Sequence, residues 1–212
     1  MAQWSWAPLF QVINNLPRER DVLTRERASD SYSIGAWYAA KLCAELPLSW
    51  LLPAGFFAVL YPLADLPLAS APTLFGVTLL ITEVATGTGT LIGATCFDGD
   101  RATTIAILYM VFVMCAGGYF VNLNHLPGWV GALRYTSFWY YAMGLFVAFA
   151  LPTDTDRVAF AANHTLSRYS FSKWSWDGHA GFDVAALFGF VLAQRGVLSF
   201  IALKCSKKLQ FR

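Results

Sequence analysis

The stretch NLPRERDVLTRERASDSYSIGAWYAAKLCAELPLSWLLP, residues 15–53, joins two incompatible media. Seven charges fall in the ten residues Arg18 to Arg27, and the chain then turns apolar, with only Asp30, Lys41 and Glu45 charged before Pro53. Soluble domains are about 25% charged and about 45–50% apolar. Here 13% of 212 residues are charged and 57% hydrophobic, with a mean hydropathy of +0.49. The charged run is the exception in a membrane-type composition.

Working outward, four segments are long and apolar enough for a hydrocarbon core of about 30 Å, which takes about 20 helical residues. They are 42–61, 73–96, 102–121 and 184–203. Pro47 and Pro53 fall in the first span, where a membrane helix tolerates them with a kink. FDGDR at 97–101 reads as a tight polar hairpin. Basic residues precede the first span (Arg18, Arg20, Arg25, Arg27, Lys41) and follow the last (Lys204, Lys207, Lys208, Arg212). Positive residues favour the cytoplasmic side, so both groups are expected there, and four crossings satisfy the parity. The loop 152–183 is then exoplasmic and carries Asn163-His164-Thr165, a glycosylation sequon. Gly128–Leu151 is apolar enough for a further crossing but rich in Trp and Tyr and carries Arg134. Such rings favour the membrane–water interface, so 128–151 is expected to be a re-entrant or interfacial helical pair. The fold expected is an all-α integral membrane bundle, multi-pass, in a plasma membrane or endomembrane.

Residues 1–16 are apolar but too short to span, and read as the end of a truncated span, so the chain reads as a fragment. Residues 17–33 read as a short amphipathic connecting helix on the inner surface, starting at Pro17. Two roles stay open for it: binding lipid headgroups, or docking a soluble cytoplasmic partner.

Other chemistries find little support. The net charge of +2 and the lack of a basic tract interleaved with aromatics argue against nucleic acid. The four cysteines show no CxxC or Cys/His spacing, and no metal site is expected. No intramembrane constellation offers paired acid–base catalysis. Nothing matches the phosphate-cradling GxxxxGK[ST] loop, so ATPase activity and its ATP and Mg cofactors are not expected on this chain. Arg195, nine residues above Lys204, lies about 13 Å into the membrane. An arginine that deep costs roughly 2.5–3.5 kcal/mol unless it meets a carboxylate, for which Glu45 and Glu83 are the candidates. That pair could be structural, or serve gating or substrate contact. Ala85, Gly89 and Gly93 form a small-residue face suited to close helix packing, internal or between copies. Ile107, Val111, Met114 and Gly118 share a helical face by spacing.

The quoted stretch resembles the G subfamily of ABC transporters, the White and pleiotropic-drug-resistance group. Glu19, Glu26, Tyr32, Ser33, Tyr38, Glu45, Leu46 and Pro47 fall on that family's pattern. TLIGA at 90–94, GGYFVNLNHLPGWVGALRYTSFWYYA at 117–142 and RGVLSFIALK at 195–204 follow in the family's order. The resemblance implies an ABC-2 type transmembrane domain of a lipid, sterol or amphipathic-molecule exporter. It implies that Arg18, Glu19, Arg25 and Glu26 couple to a nucleotide-binding domain elsewhere, which binds ATP and Mg. It further implies that Ile107, Val111 and Met114 line a substrate cavity beneath a Tyr119–Phe120 valve. The implied partners are that domain, a second half-transporter and membrane lipids. A rival reading is a truncated non-transporting scaffold or dominant-negative partner. Departures are plain: 152–183 lacks the family's paired cysteines, and Val147-Ala148-Phe149 stands where the family has asparagine-glutamate-phenylalanine.

The topology is testable. A Ser206→Cys variant should react only with reagents on the cytoplasmic side, and Asn163 should carry a glycan. Labelling at 206 from outside would make Gly128–Leu151 a true crossing.

Overall fold

The computed structural model describes residues 2–28, 33–64, 70–96, 98–118, 120, 132–150 and 180–200, all helix, turn or short connection. The long helices are α1 (Ala2–Ala28), α2 (Ile34–Ala64), α3 (Ala71–Thr95) and α4 (Gly99–Ala116). A 3-10 turn (Ala132–Thr136) leads into α5 (Phe138–Ala150), and α6 (Ala180–Val191) continues into a π-helical segment (Leu192–Leu198). Among the described residues three helical stretches are long and apolar enough to cross a membrane: Gly35–Leu63, Ala71–Thr95 and Gly99–Ala116.

The central helix is α3, which packs against α1, α2, α4, α5, α6 and the π segment. Its middle is threonine- and glycine-rich, an odd composition for a core until the bonding is traced. The hydroxyls of Thr78, Thr82, Thr86 and Thr90 each donate to the carbonyl four residues back, at 2.7–2.9 Å. A buried hydroxyl satisfied by its own backbone escapes the desolvation penalty of an unpaired polar group. With its polar atoms turned inward on the helix itself, α3 can be buried on every side.

The glycines of α3 set the distances. A Cβ at Gly89 would lie 2.8 Å from the Leu9 carbonyl oxygen of α1, and one at Gly93 would lie 2.6 Å from Leu16 Cδ2. Ala85 is fully buried in the same core. The small-residue face is therefore occupied within the chain. Leu9 and Ile13 of α1, Ile81 and Val84 of α3, and Met110 and Val113 of α4 share one apolar core.

Several boundaries differ from the sequence reading. The charged run 17–28 is not a separate helix, since α1 continues through Pro17 to Ala28. Helix α2 begins eight residues before the expected Leu42 and holds Pro47, Pro53 and Pro62 without ending. Helix α4 stops at Ala116, short of the expected 121, because the chain turns at Gly117 and at Gly118, whose φ is +81°. The segment expected to span 184–203 is helical from Ala180 but changes to π geometry at Leu192, and 201–203 lie outside the described residues. FDGDR is described from Asp98, which caps α4 by accepting from the Asp100 N–H at 3.2 Å.

The aromatic-rich 128–151 segment is described in part. Its described part is the 3-10 turn and α5, and Phe138, Trp139, Tyr140 and Tyr141 are all buried. These rings belong to the apolar core, while Tyr135 is exposed. Gly117 makes the contact possible, since a Cβ there would lie 2.7 Å from Trp139 Cβ. Ser137 donates to the Val113 carbonyl at 2.7 Å and ties the start of α5 to the end of α4.

Gly89→Ala should destabilise the domain by about 1–3 kcal/mol through overpacking against α1 backbone. Gly76→Ala, which meets nothing within 4 Å, should be neutral or stabilising. Unfolding in detergent micelles reads the difference; equal stability of the two variants would deny the close α1–α3 contact.

Candidate functional site

Helical spacing puts Lys41, Glu45 and Ser49 on one face of α2, one turn apart. That face looks toward Glu83 of α3 and Arg195 of the π segment. Arg195 Nη1 is ion-paired with Glu83 Oε2, and its Nη2 lies 3.1 Å from Glu45 Oε2. Glu45 Oε1 lies 3.1 Å from Lys41 Nζ, which also pairs with Glu19 of α1. Glu83 accepts further hydrogen bonds from Ser49 Oγ at 3.0 Å and from the Trp50 indole N–H at 3.3 Å. Five charged side chains thus run in one chain, Glu19–Lys41–Glu45–Arg195–Glu83, from the charged end of α1 to the middle of α3.

Burial alternates along that path, with the cations Lys41 and Arg195 buried between more exposed carboxylates except at Glu83. The Glu19 side chain is 37% exposed and Glu45 28%, while Glu83 and Arg195 are 9% and 6% exposed. The deep end is thus desolvated, and each charge there is kept by its partner.

The local fold explains how an arginine fits. Gly87 faces the π segment so closely that a Cβ would lie 3.0 Å from the Arg195 backbone nitrogen. The Ser199 N–H donates to Gln194 O, the i→i+5 bond of a π turn. The Ser199 hydroxyl is shared between the carbonyls of Gly87, at 3.1 Å, and Gln194, at 2.6 Å. The Tyr38 hydroxyl donates to the Arg195 carbonyl from α2. Gln194 takes the other direction: the Thr88 hydroxyl donates to its Oε1 at 2.5 Å, and its Nε2 donates to the Tyr109 hydroxyl of α4 at 3.3 Å. Two successive buried residues therefore link the last helix to α2 and to α4.

The structure joins Glu19, Glu45, Glu83 and Arg195 in one cluster and separates others. Arg25 is exposed on α1, whereas the side chains of Arg18 and Glu26 lie outside the described residues. Ile107 and Val111 are 42% and 43% exposed on α4. Met114 is 3% exposed and belongs to the core, so the expected cavity face is not one surface. Phe120 is exposed, while Tyr119, the other half of the expected valve, and Asn163 lie outside the described residues. Sequence reasoning assigned Lys41 only to membrane orientation and passed over Ser49 and Gln194. The i, i+4, i+8 spacing of Lys41, Glu45 and Ser49 was the available signal. Among the described residues no group of three His, Cys, Asp or Glu side chains could hold a metal ion.

Such a fold and cluster define a helical membrane domain built around a buried ion-pair chain. A family model described as ABC-2 type transporter matches residues 1–150, and the chain belongs to that family, in its G-subfamily branch. It is 32% identical over 206 residues to "ABC transporter G family member 21" of Arabidopsis thaliana, covering 95% of this chain and 30% of that protein. It is 27% identical over 215 residues to "ABC transporter ATP-binding protein/permease wht-1" of Caenorhabditis elegans, covering 92% and 31%. "Protein white" of Ceratitis capitata is 30% identical over 135 residues, covering 63% and 20%. The chain spans less than a third of the length of these relatives.

Arg195→Leu should cost about 3–5 kcal/mol, because it abandons the buried Glu83 carboxylate. Adding Glu83→Gln should recover a large part of that loss. A double-mutant cycle on unfolding in micelles or bicelles measures the coupling; strict additivity of the two losses would reject the pair.

Proposed function

We propose that this chain forms the translocation pathway of a G-type ABC exporter for lipids, sterols or amphipathic small molecules. ATP is hydrolysed on a nucleotide-binding domain, and two membrane halves come together around the pathway. The exposed Ile107 and Val111 of α4 face that pathway, below an outer constriction at Tyr119 and Phe120. The same reading makes the protein multi-pass, in a plasma membrane or endomembrane, with Asn163 outside.

One observation carries the proposal: the charged end of α1 is both continuous with an apolar helix and ion-paired through Glu19 to Lys41. Helix α1 is continuous although Pro17 removes one backbone hydrogen bond, so displacement of its charged end is carried into its apolar part. A push on residues 17–28 therefore reaches the α1–α3 contact at Gly89 directly. It reaches α2 and Arg195 through Lys41 and Glu45. Coupling between sites needs a physical element that both of them bias, and α1 with its charge chain has that form. A helix serving only to bind anionic headgroups has no use for a carboxylate turned inward onto Lys41.

The test uses a full-length transporter carrying this domain, reconstituted in vesicles, with transport and ATP hydrolysis measured together. Reversing Glu19 and Glu26 to lysine should lower transport per ATP about fivefold or more, the lower range of allosteric couplings, while membrane insertion stays intact. Combining Glu19→Lys with Lys41→Glu should restore part of the ratio. An unchanged ratio in the reversed variant would favour headgroup binding instead.

A further inference from the structure

Helices α1 and α2 both pack on α3, and side chains bridge the two near their ends. Lys41 pairs with Glu19 at one end, and the Trp4 and Phe56 rings meet edge-on at 5.5 Å at the other. Between these bridges lies a crevice of about 250 Å³, with Thr82 and Thr86 of α3 on its floor. Toward the charged end of α1 it shares Glu19, Lys41 and Ala44 with a wider depression of about 490 Å³, which Val22 and Trp37 also line. The coupling role proposed above uses the charges on these walls but not the space between them.

The lining selects what fills that space. Nine of its fifteen residues carry a polar side-chain group, whereas α2 exposes Leu51, Val59 and Leu63 elsewhere on its surface. Gln11 and Asn15 lie one turn apart on the α1 wall, and Glu45 and Ser49 are spaced likewise on α2. Hydrocarbon in contact with these groups would strip them of water and offer no hydrogen bond in return. A helix, about 10 Å across with its side chains, is too wide to enter. From Lys41 to Leu52 the wall runs about 17 Å at 1.5 Å per residue, so the mean cross-section is about 15 Å². At about 30 Å³ per molecule the crevice takes about eight waters, one or two abreast. A buried water needs polar partners, and all three helices supply them.

The sign of the charge selects what can enter with the water. The chain from Glu19 to Glu83 has three carboxylates and two cations. Its cations are tucked away: the Lys41 side chain is 9% exposed, with Nζ 5.5 Å from the centre of the Trp37 ring, and Arg195 is 6% exposed. Glu19 and Glu45 are the more open members. Solvent in the crevice therefore meets carboxylate oxygen, and a narrow cleft lined by one sign of charge concentrates the opposite ion.

We propose that this crevice is a water-filled inlet, leading from the aqueous side at the charged end of α1 to the Glu45–Arg195 pair, that admits small monovalent cations and excludes anions. Its water solvates Glu45 whenever that carboxylate parts from Arg195, so the buried chain exchanges partners without leaving a bare charge in hydrocarbon. The inference rests on α2 and α3 lying in a membrane and not on the transport reading.

The experiment uses the full-length transporter carrying this domain, with its native cysteines replaced by alanine, in lipid nanodiscs. Single cysteines are reacted with 2-aminoethyl methanethiosulfonate, a cation, or 2-sulfonatoethyl methanethiosulfonate, an anion. Ser49→Cys should react with both measurably and with the cation about tenfold faster or more, each rate being taken relative to Arg25→Cys on the exposed end of α1. The ratio cancels the reactivity of the thiol, since both reagents meet the same thiolate. Leu51→Cys, 67% exposed but not on the crevice, should react with neither. Ala44→Phe at the mouth should slow Ser49→Cys about fivefold or more, while Ala7→Phe, at the far end, should leave its rate unchanged. Glu45→Gln should lower the cation preference. Size-exclusion profiles report folding, and if a phenylalanine variant misfolds, Ala44→Leu should still give a smaller slowing. A Ser49→Cys as inert as Leu51→Cys would overturn the proposal and assign the crevice to hydrocarbon or to a covering polypeptide. Equal rates for the two reagents, or indifference to Ala44→Phe, would overturn it as well. None of these results bears on the transport reading, since no transport is measured.

Discussion

A guanidinium held between two carboxylates in a low-dielectric interior is the constraint around which the other elements are arranged. Arg195 cannot be buried alone, because an isolated ion in such surroundings costs several kcal/mol. Its partners must come from different helices, so α2 and α3 are drawn to the last helix at one level. Gly87 then follows as a requirement, since the Arg195 backbone approaches α3 within contact of any side chain placed there. The π segment follows too. It presents Gln194 and Arg195 to opposite neighbours while Ser199 closes the widened turn.

This constraint matters more in a membrane than it would in water. Lipid tails solvate leucine as well as another helix does, so apolar side chains give little drive for helices to associate. Helix α2 illustrates the point. Leu48, Leu51, Leu52, Val59 and Leu63 are all exposed, and its place is held by polar anchors: Tyr38 on the Arg195 carbonyl, Glu45 on the guanidinium, and Ser49 and Trp50 on Glu83. The α1–α3 contact relies on the other available device, small residues that let backbones meet. A bundle assembled in these two ways has one tight joint along α1 and α3 and one electrostatic joint along α2. Motion applied to the charged end of α1 reaches both.

Much of the architecture was legible in the residues. Apolar runs of sufficient length located α2, α3 and α4, because hydrocarbon thickness dictates helix length directly. Arg195, Glu45 and Glu83 were legible as a group because an intramembrane charge demands a partner. The cavity face was less legible. Spacing alone placed Met114 beside Ile107 and Val111, but a seven-residue step drifts around the helix, and the chain turns at Gly117–Gly118 to bring α5 over that end. The packing partners of the aromatic residues of α5 were not legible for a related reason. Trp and Tyr suit an interface and a core equally, and only the packing partner distinguishes the two. Pro17 suggested a helix start, yet a proline in mid-helix costs one hydrogen bond, and the surrounding helix formers carry α1 through it.

The sequence by itself determined that this chain is helical and lies in a membrane, and that its few deep charges must find one another. Composition and length suffice for those statements, since each depends on transfer free energies that are local to a segment. Tertiary structure alone decided which carboxylate takes which guanidinium nitrogen, and that Lys41 extends the pair to Glu19. It also decided that Gly76 and Gly196 border open space while Gly87 and Gly89 border backbone. These depend on distances between segments remote in the chain, and a glycine or a lysine reads the same in sequence whichever neighbour it meets.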